Sequence, residues 1–169
     1  LNVTNSSAYD PNVATQASID WSDEDTVIFD WAGTNYTVAG PTYIYYLDIL
    51  GAGNYSYYWC ANSSTGDWNC TPTQTFEILP VNVTAYLQLN GTDGDVVMTY
   101  GQTSSAAAGC TGTALEFYRN SSIIVANPEV LNLGAGTYNY TVLCLGNDNY
   151  TSPTLTRFLD IVQADSSAS

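Results

Sequence analysis

The chain has 169 residues, 16 of them acidic and only two basic, with no histidine and a formal net charge of -14 at pH 7. That balance excludes a nucleic-acid or anionic-membrane partner, since either needs a cationic face. Charged residues make up only 11% of the chain, below the usual quarter, so the acidity is not a halophile-style carboxylate shell.

Taken in order, Leu1 to Asn12 is polar and holds a proline, which predicts an extended N-terminal arm over 1–12. Val13, Thr15, Ala17, Ile19 and Trp21 then fall on one face of an alternating, half-buried strand. An acidic turn, Asp23-Glu24-Asp25, leads to a strand on which Val27, Phe29 and Trp31 face inward. Ala32-Gly33-Thr34 turns it back into Asn35-Tyr36-Thr37-Val38, and Pro41 ends that strand. Tyr43 to Leu50 is the next strand. Tyr55, Tyr57 and Trp59 share the inner face of another, and Phe76 and Ile78 close a first domain over 13–80.

The second domain, 81–163, opens with the clearest alternation: Val83, Ala85, Leu87 and Leu89 inward, Thr84, Tyr86 and Gln88 outward. Val96 to Met98, the small-residue stretch Ser104 to Cys110, and Leu115 to Tyr118 follow as strands. The turn Arg119-Asn120-Ser121-Ser122 leads to Ile123-Ile124-Val125, with Phe117 matching Phe29, Val125 matching Val38 and Pro128 matching Pro41. Tyr138, Tyr140, Val142 and Cys144 face inward, Phe158 to Val162 is the last strand, and 164–169 is a polar tail. No stretch has helical periodicity, so the fold class is all-β.

One stretch occurs twice. Leu50-Gly51-Ala52-Gly53-Asn54-Tyr55-Ser56-Tyr57 returns as Leu133-Gly134-Ala135-Gly136-Thr137-Tyr138-Asn139-Tyr140, and each copy runs into a cysteine. The repeat divides the chain into two tandem antiparallel β-sandwich domains of ordinary small size. No apolar run approaches the ~20 residues of a membrane helix. With no leader before Leu1, a mature, processed chain is expected.

Four cysteines allow three pairings. Period-two parity favours Cys60–Cys70, opposite each other in one hairpin, and Cys110–Cys144 across the second domain. A zinc site is the poorer alternative, because there is no histidine and no pair of short cysteine knuckles. Asn-X-Ser/Thr sequons stand at Asn2, Asn5, Asn35, Asn54, Asn62, Asn69, Asn82, Asn90, Asn120, Asn139 and Asn149. Chance would give about three. Sequons and disulfides together predict an N-glycosylated chain in an oxidising, extracellular or cell-surface setting.

Chemistry has little to work with. Nucleophile–histidine catalysis and Schiff-base chemistry lack their residues, so no catalytic site and no enzyme is expected. The acidic turn with Asp23 and Asp25, and the loop with Asp93 and Asp95, are weak calcium candidates that match no EF-hand. No other cofactor is expected. Tyr45, Tyr46 and Tyr58 are the tyrosines that parity leaves least placed.

Asp25 to Val38, both Leu-Gly-Ala-Gly-X-Tyr-X-Tyr corners, the Thr71-Pro72-Thr73-Gln74-Thr75-Phe76 strand, Tyr118-Arg119-Asn120 and Gly146 to Thr151 resemble the tandem immunoglobulin-like repeats of archaeal secreted and cell-surface proteins. The resemblance covers most of the chain beyond about residue 10, and its motifs speak to fold and location, not activity. It implies two Ig-like sandwiches in a surface-layer, adhesin or extracellular filament (pilus- or thread-like) subunit. In an immunoglobulin topology Cys110 also lies in the sheet opposite Cys144. The leading expectation is a structural subunit whose partners are copies of itself, joined by β-strand donation from the N-terminal segment. Leu1, Val3, Val13, Ala17, Ile19 and Trp21 are the polymerisation-strand candidates, and the rival reading makes Val13 to Trp21 a strand of its own domain. The alternative function is a cell-surface adhesin or binding module that contacts another cell surface; an accessory domain of a secreted enzyme is a third. No reading involves membrane insertion.

Overall fold

The computed structural model describes residues 6–22 and 24–164, and the chain divides into two compact units, Leu1–Val81 and Asn82–Ser169. Every element of the described residues is a strand. In the first unit these are β1 (Ser6–Ala8), β2 (Gln16–Ile19), β3 (Glu24–Trp31), β4 (Thr34–Val38), β5 (Tyr43–Tyr46), β6 (Gly53–Ser63), β7 (Trp68–Cys70) and β8 (Gln74–Leu79). The larger sheet has the order β1-β8-β6-β3-β4, with β7 also paired to β6, while β2 and β5 alone form the smaller.

Alternation places the core as expected. Val27 and Phe29 of β3, Tyr57 and Trp59 of β6, and Phe76 and Ile78 of β8 pack against Ala17 and Tyr43 from the smaller sheet. The packing is mainly aromatic. Phe29 lies 4.6 Å from Trp59 and 5.0 Å from Tyr45 between ring centroids, and Trp31 stacks on Tyr55 at 5.3 Å. Such offset and tilted pairs add to what area burial alone supplies. Tyr45 thus belongs to the core, Tyr58 is half-buried, and Tyr46 is 71% exposed.

The second unit comprises β9 (Ala85–Leu89), β10 (Val96–Thr99), β11 (Ser104–Cys110), β12 (Leu115–Arg119), β13 (Ser122–Ile123), β14 (Glu129–Leu131), β15 (Gly136–Cys144) and β16 (Thr154–Val162). Its sheets are β10-β16-β15-β12-β13 and β14-β11-β9. Leu87, Leu89, Ala106 and Ala108 face Phe117, Tyr140, Val142, Leu159 and Ile161 across the core. A disulfide from Cys110 on β11 to Cys144 on β15 joins the two sheets. This is the B–F bridge of the immunoglobulin sandwich, with β12, β15 and β16 in the places of strands C, F and G. β10 runs parallel to β16, as β1 runs parallel to β8 in the first unit. Both units are Ig-like sandwiches.

Three expectations change. Ser6–Ala8, within the expected arm, adds to the edge of its own unit's sheet, with Ser6 opposite Glu77. The nine-residue strand from Val13 to Trp21 is only Gln16–Ile19, paired antiparallel with β5. Val13 is exposed ahead of it and Trp21 packs half-buried on the core. Finally, Val125 is 96% exposed whereas Val38 is buried. The two-residue turn at Asn120 and Ser121, both in the left-handed region (φ +47 and +64), is followed by a β13 of only two residues, so Val125 lies beyond the sheet.

Candidate functional site

The repeated corner owes its form to one hydrogen bond. Tyr55 Oη donates to the Gly51 carbonyl at 2.8 Å, and Tyr138 Oη donates to the Gly134 carbonyl at 3.1 Å. The tyrosine four residues on thus ties down the entry to β6 and to β15. Sequence reasoning placed these tyrosines in the core by parity but missed their hydroxyl bonds.

The sequons are distributed unevenly. Asn35 lies on β4, Asn54 and Asn62 on β6, Asn69 on β7 and Asn139 on β15, all strands of the larger sheets. Asn120 is in the turn before β13 and Asn149 in the loop before β16. Asn82 and Asn90 flank β9. None of the described sequons is on β2, β5, β9, β11 or β14, the strands of the smaller sheets. Asn35, Asn54, Asn69, Asn82, Asn90 and Asn120 are exposed, whereas Asn62, Asn139 and Asn149 are half-buried. Some already serve the backbone. Asn90, at φ +48, accepts from the Ser105 N–H at 2.7 Å. Asn62 accepts from the Thr26 N–H at 2.7 Å, and Asn120 from the Asn139 N–H at 2.9 Å. Asn2 and Asn5 lie outside the described residues.

Cys60 and Cys70 are bonded directly across β6 and β7, and no cysteine is free. The calcium candidates do not converge. Asp93 pairs with Arg157 at 2.7 Å, Asp95 accepts from the Phe158 N–H at 2.8 Å, and Glu24, beside Asp25, accepts from the Tyr43 hydroxyl. Asp23 is outside the described residues. Among the described residues no group of three or more acidic or cysteine side chains is placed to hold a metal.

A buried polar cluster was not anticipated. Glu129 of β14 takes the Tyr140 hydroxyl at 2.9 Å and the Arg119 guanidinium at 2.7 Å on the same oxygen. Burial, with help from this carboxylate, pushes the Tyr140 phenol up to about 12, and Arg119 opposes that rise. The sole signal in the sequence was an acidic residue next to Pro128, and nothing in its spacing names its partners.

The units differ most at the free edge of the smaller sheet. In the second, β11 is flanked by β14 on one side and β9 on the other, and β9 packs across the sandwich onto β15 and β16. Its Leu87 and Leu89 are fully buried. In the first, β2 is flanked by β5 alone among the described residues. A groove of about 540 Å³ runs there, lined by Ser18, Ile19 and Asp20 on one side and by Tyr57, Trp59, Thr71, Pro72 and Gln74 on the other. Trp59 is 1% exposed, and its indole N–H has no partner. Of the polymerisation-strand candidates, Ala17 and Ile19 sit in β2, the strand that borders this groove. Leu1 and Val3 lie outside the described residues.

The chain matches no protein-family model, and no curated protein is similar to it in sequence. Solved structures to which it is similar include the fibronectin(III)-like modules of Clostridium thermocellum CbhA, at 16% identity over 96% of this chain and 91% of that one (TM-score 0.37). Others are the I9–I11 tandem from titin, at 11% identity over 94% and 63% (TM-score 0.43), and Sidekick-1 immunoglobulin domains 1–4, at 12% identity over 96% and 50% (TM-score 0.32). The chain thus spans about two thirds of the titin fragment and half of the Sidekick-1 fragment. At such identities and TM-scores these are likenesses only, and the Ig-like fold stands on the strand order and the bridge between sheets described above.

Proposed function

We propose that this chain is a structural subunit of an extracellular, N-glycosylated filament or surface layer, built from copies of itself and of the archaeal cell-surface kind that its motifs resemble. The observation that carries the reading is the sidedness of the sequons. Carbohydrate on the larger sheets would keep those faces in solvent, while among the described residues no sequon lies on a strand of the smaller sheets, Asn82 and Asn90 standing only at the ends of β9. The bare faces suit protein contact. Outward positions of β9 and β11 hold Tyr86, Gln88, Ser105, Ala107 and Gly109, and those of β2 and β5 hold Ser18, Ile44 and Tyr46, with no charge among them. In a chain of net charge -14, uncharged faces are where copies approach with least repulsion. The disulfides are consistent with an oxidising compartment.

Electron microscopy of native, undenatured material tests this. Regular filaments or sheets are the expected result. Monodisperse particles at every concentration would remove the polymer reading and favour the adhesin, whose partner would then engage exposed side chains such as Tyr46 and Tyr86. Deleting residues 1–21 is a poor test, because β1 and β2 would go with them.

A further inference from the structure

We infer that the groove beside β2 is the receptor for a β-strand supplied by the Leu1–Asn5 segment of a second copy. This rests on the self-assembling reading above and names its joint. The second unit is the template. There β9 pairs with β11 from Leu89 opposite Ala106 to Ala85 opposite Cys110, and it fills the core with two leucines set two residues apart. The first unit has the same neighbouring strands but nothing at that place among the described residues. What remains among the described residues is an unpaired strand edge, a groove floored by Tyr57, Trp59 and Ile19 but rimmed by polar side chains such as Asp20 and Gln74, and a buried indole N–H without an acceptor. An inserted strand answers all three needs. Its backbone completes the β2 ladder, its alternate side chains fill the floor, and a main-chain carbonyl can take the Trp59 N–H.

Leu1-Asn2-Val3-Thr4-Asn5 has the required pattern. Leu1 and Val3 flank Asn2 as Leu87 and Leu89 flank Gln88. Asn2 and Thr4 would then face outward, so that a glycan on Asn2 stays out of the groove and makes the donated strand the one decorated strand of that sheet. A chain cannot readily fill its own groove this way. Ser6 is already held at the edge of β8, and in the second unit the crossing from β9 takes residues 90–95 before β10 joins β16. The other residues outside the described structure at a chain end, Asp165 to Ser169, offer no apolar pair.

Two measurements on the full chain decide it. Leu1→Asp combined with Val3→Asp should reduce polymer by more than about tenfold, because carboxylates cannot be buried unpaired against Tyr57 and Trp59, while circular dichroism and the melting curve of the unassembled chain stay unchanged. Separately, chains carrying Asn2→Cys or Thr4→Cys are mixed with chains carrying Asp20→Cys and oxidised. A covalent dimer containing one of each is expected, and neither chain alone should give it. Undiminished filaments from the double aspartate variant, or filaments that give no mixed dimer, would overturn the inference and leave the filament reading standing. A link that forms only inside a doubly substituted chain overturns it too, since the groove is then self-filled. A wild-type chain that never polymerises sinks both.

Discussion

Tyr140 is a buried phenol whose proton is held by its surroundings, and the sign of the effect is definite. Its pKa is pushed from 10 up to about 12, burial being the first cause and the Glu129 carboxylate the second. Below pH 10 the hydroxyl is protonated in both folded and unfolded chains. Between pH 10 and about 12 the unfolded chain ionises there while the folded one does not, so stability falls as pH rises through that window. Urea titrations from pH 9 to 12 should therefore show a steeper loss for the native sequence than for Tyr140→Phe. Equal slopes would mean that the phenol titrates normally. Tyr140 was legible as an inward residue because parity alone decides that. Its partners were not, because Glu129 and Arg119 reach it from strands whose register the sequence does not state. The same holds for Trp59: its alternation with Tyr57 placed it inside, but an unmet hydrogen bond leaves no mark in sequence.

Among the elements, strands with long, unbroken alternation were read correctly, and β9 and β15 are the clearest cases. Short, edge-bound ones were not. Val13 to Trp21 alternates throughout, yet only Gln16–Ile19 pairs, because a ladder needs a neighbour as well as a pattern. Nor could pattern reveal that, among the described residues, no strand of the first unit stands where β9 stands in the second, which is visible only by setting one unit against the other. The two disulfides join elements in different ways, and their loss should differ. Cys60–Cys70 closes a separation of 10 residues within one sheet, and Cys110–Cys144 closes 34 between sheets. By loop entropy alone, removing them costs about 2.7 and about 3.8 kcal/mol. Paired Cys→Ser variants compared by thermal unfolding should accordingly rank the second-unit bridge as the more important. The opposite order would show that local geometry around β6 and β7 outweighs chain entropy.

For the molecule as a whole, charge is the variable that acts on every copy at once. The net charge of -14 at pH 7 disappears near the sequence isoelectric point of about 4.1. Association between copies should tighten on acidification from pH 7 toward 4, and added salt should promote it at pH 7 but hardly at pH 4. Sedimentation across that range checks both, and association that weakens on acidification would show that ionised carboxylates make the contacts. At this scale the two-domain, all-β plan was readable from the repeated corner, since each copy could specify only the same hairpin. One further property follows from where three tyrosines fall. In Asn35-Tyr36-Thr37, Asn54-Tyr55-Ser56 and Asn139-Tyr140-Thr141, the middle residue points into a sandwich and its two neighbours point out. The acceptor tripeptide and the β-pleat share a period of two, so each of these triplets couples an inward-facing ring, fully buried at Tyr140 and partly at Tyr36 and Tyr55, with an acceptor sequence on the outer face. A saccharide attached to such an asparagine cannot pass into the core. Any one-residue slip of that strand, which would exchange its inner and outer faces, becomes sterically closed to the decorated chain. Glycosylation would therefore protect the accuracy of folding as well as the surface.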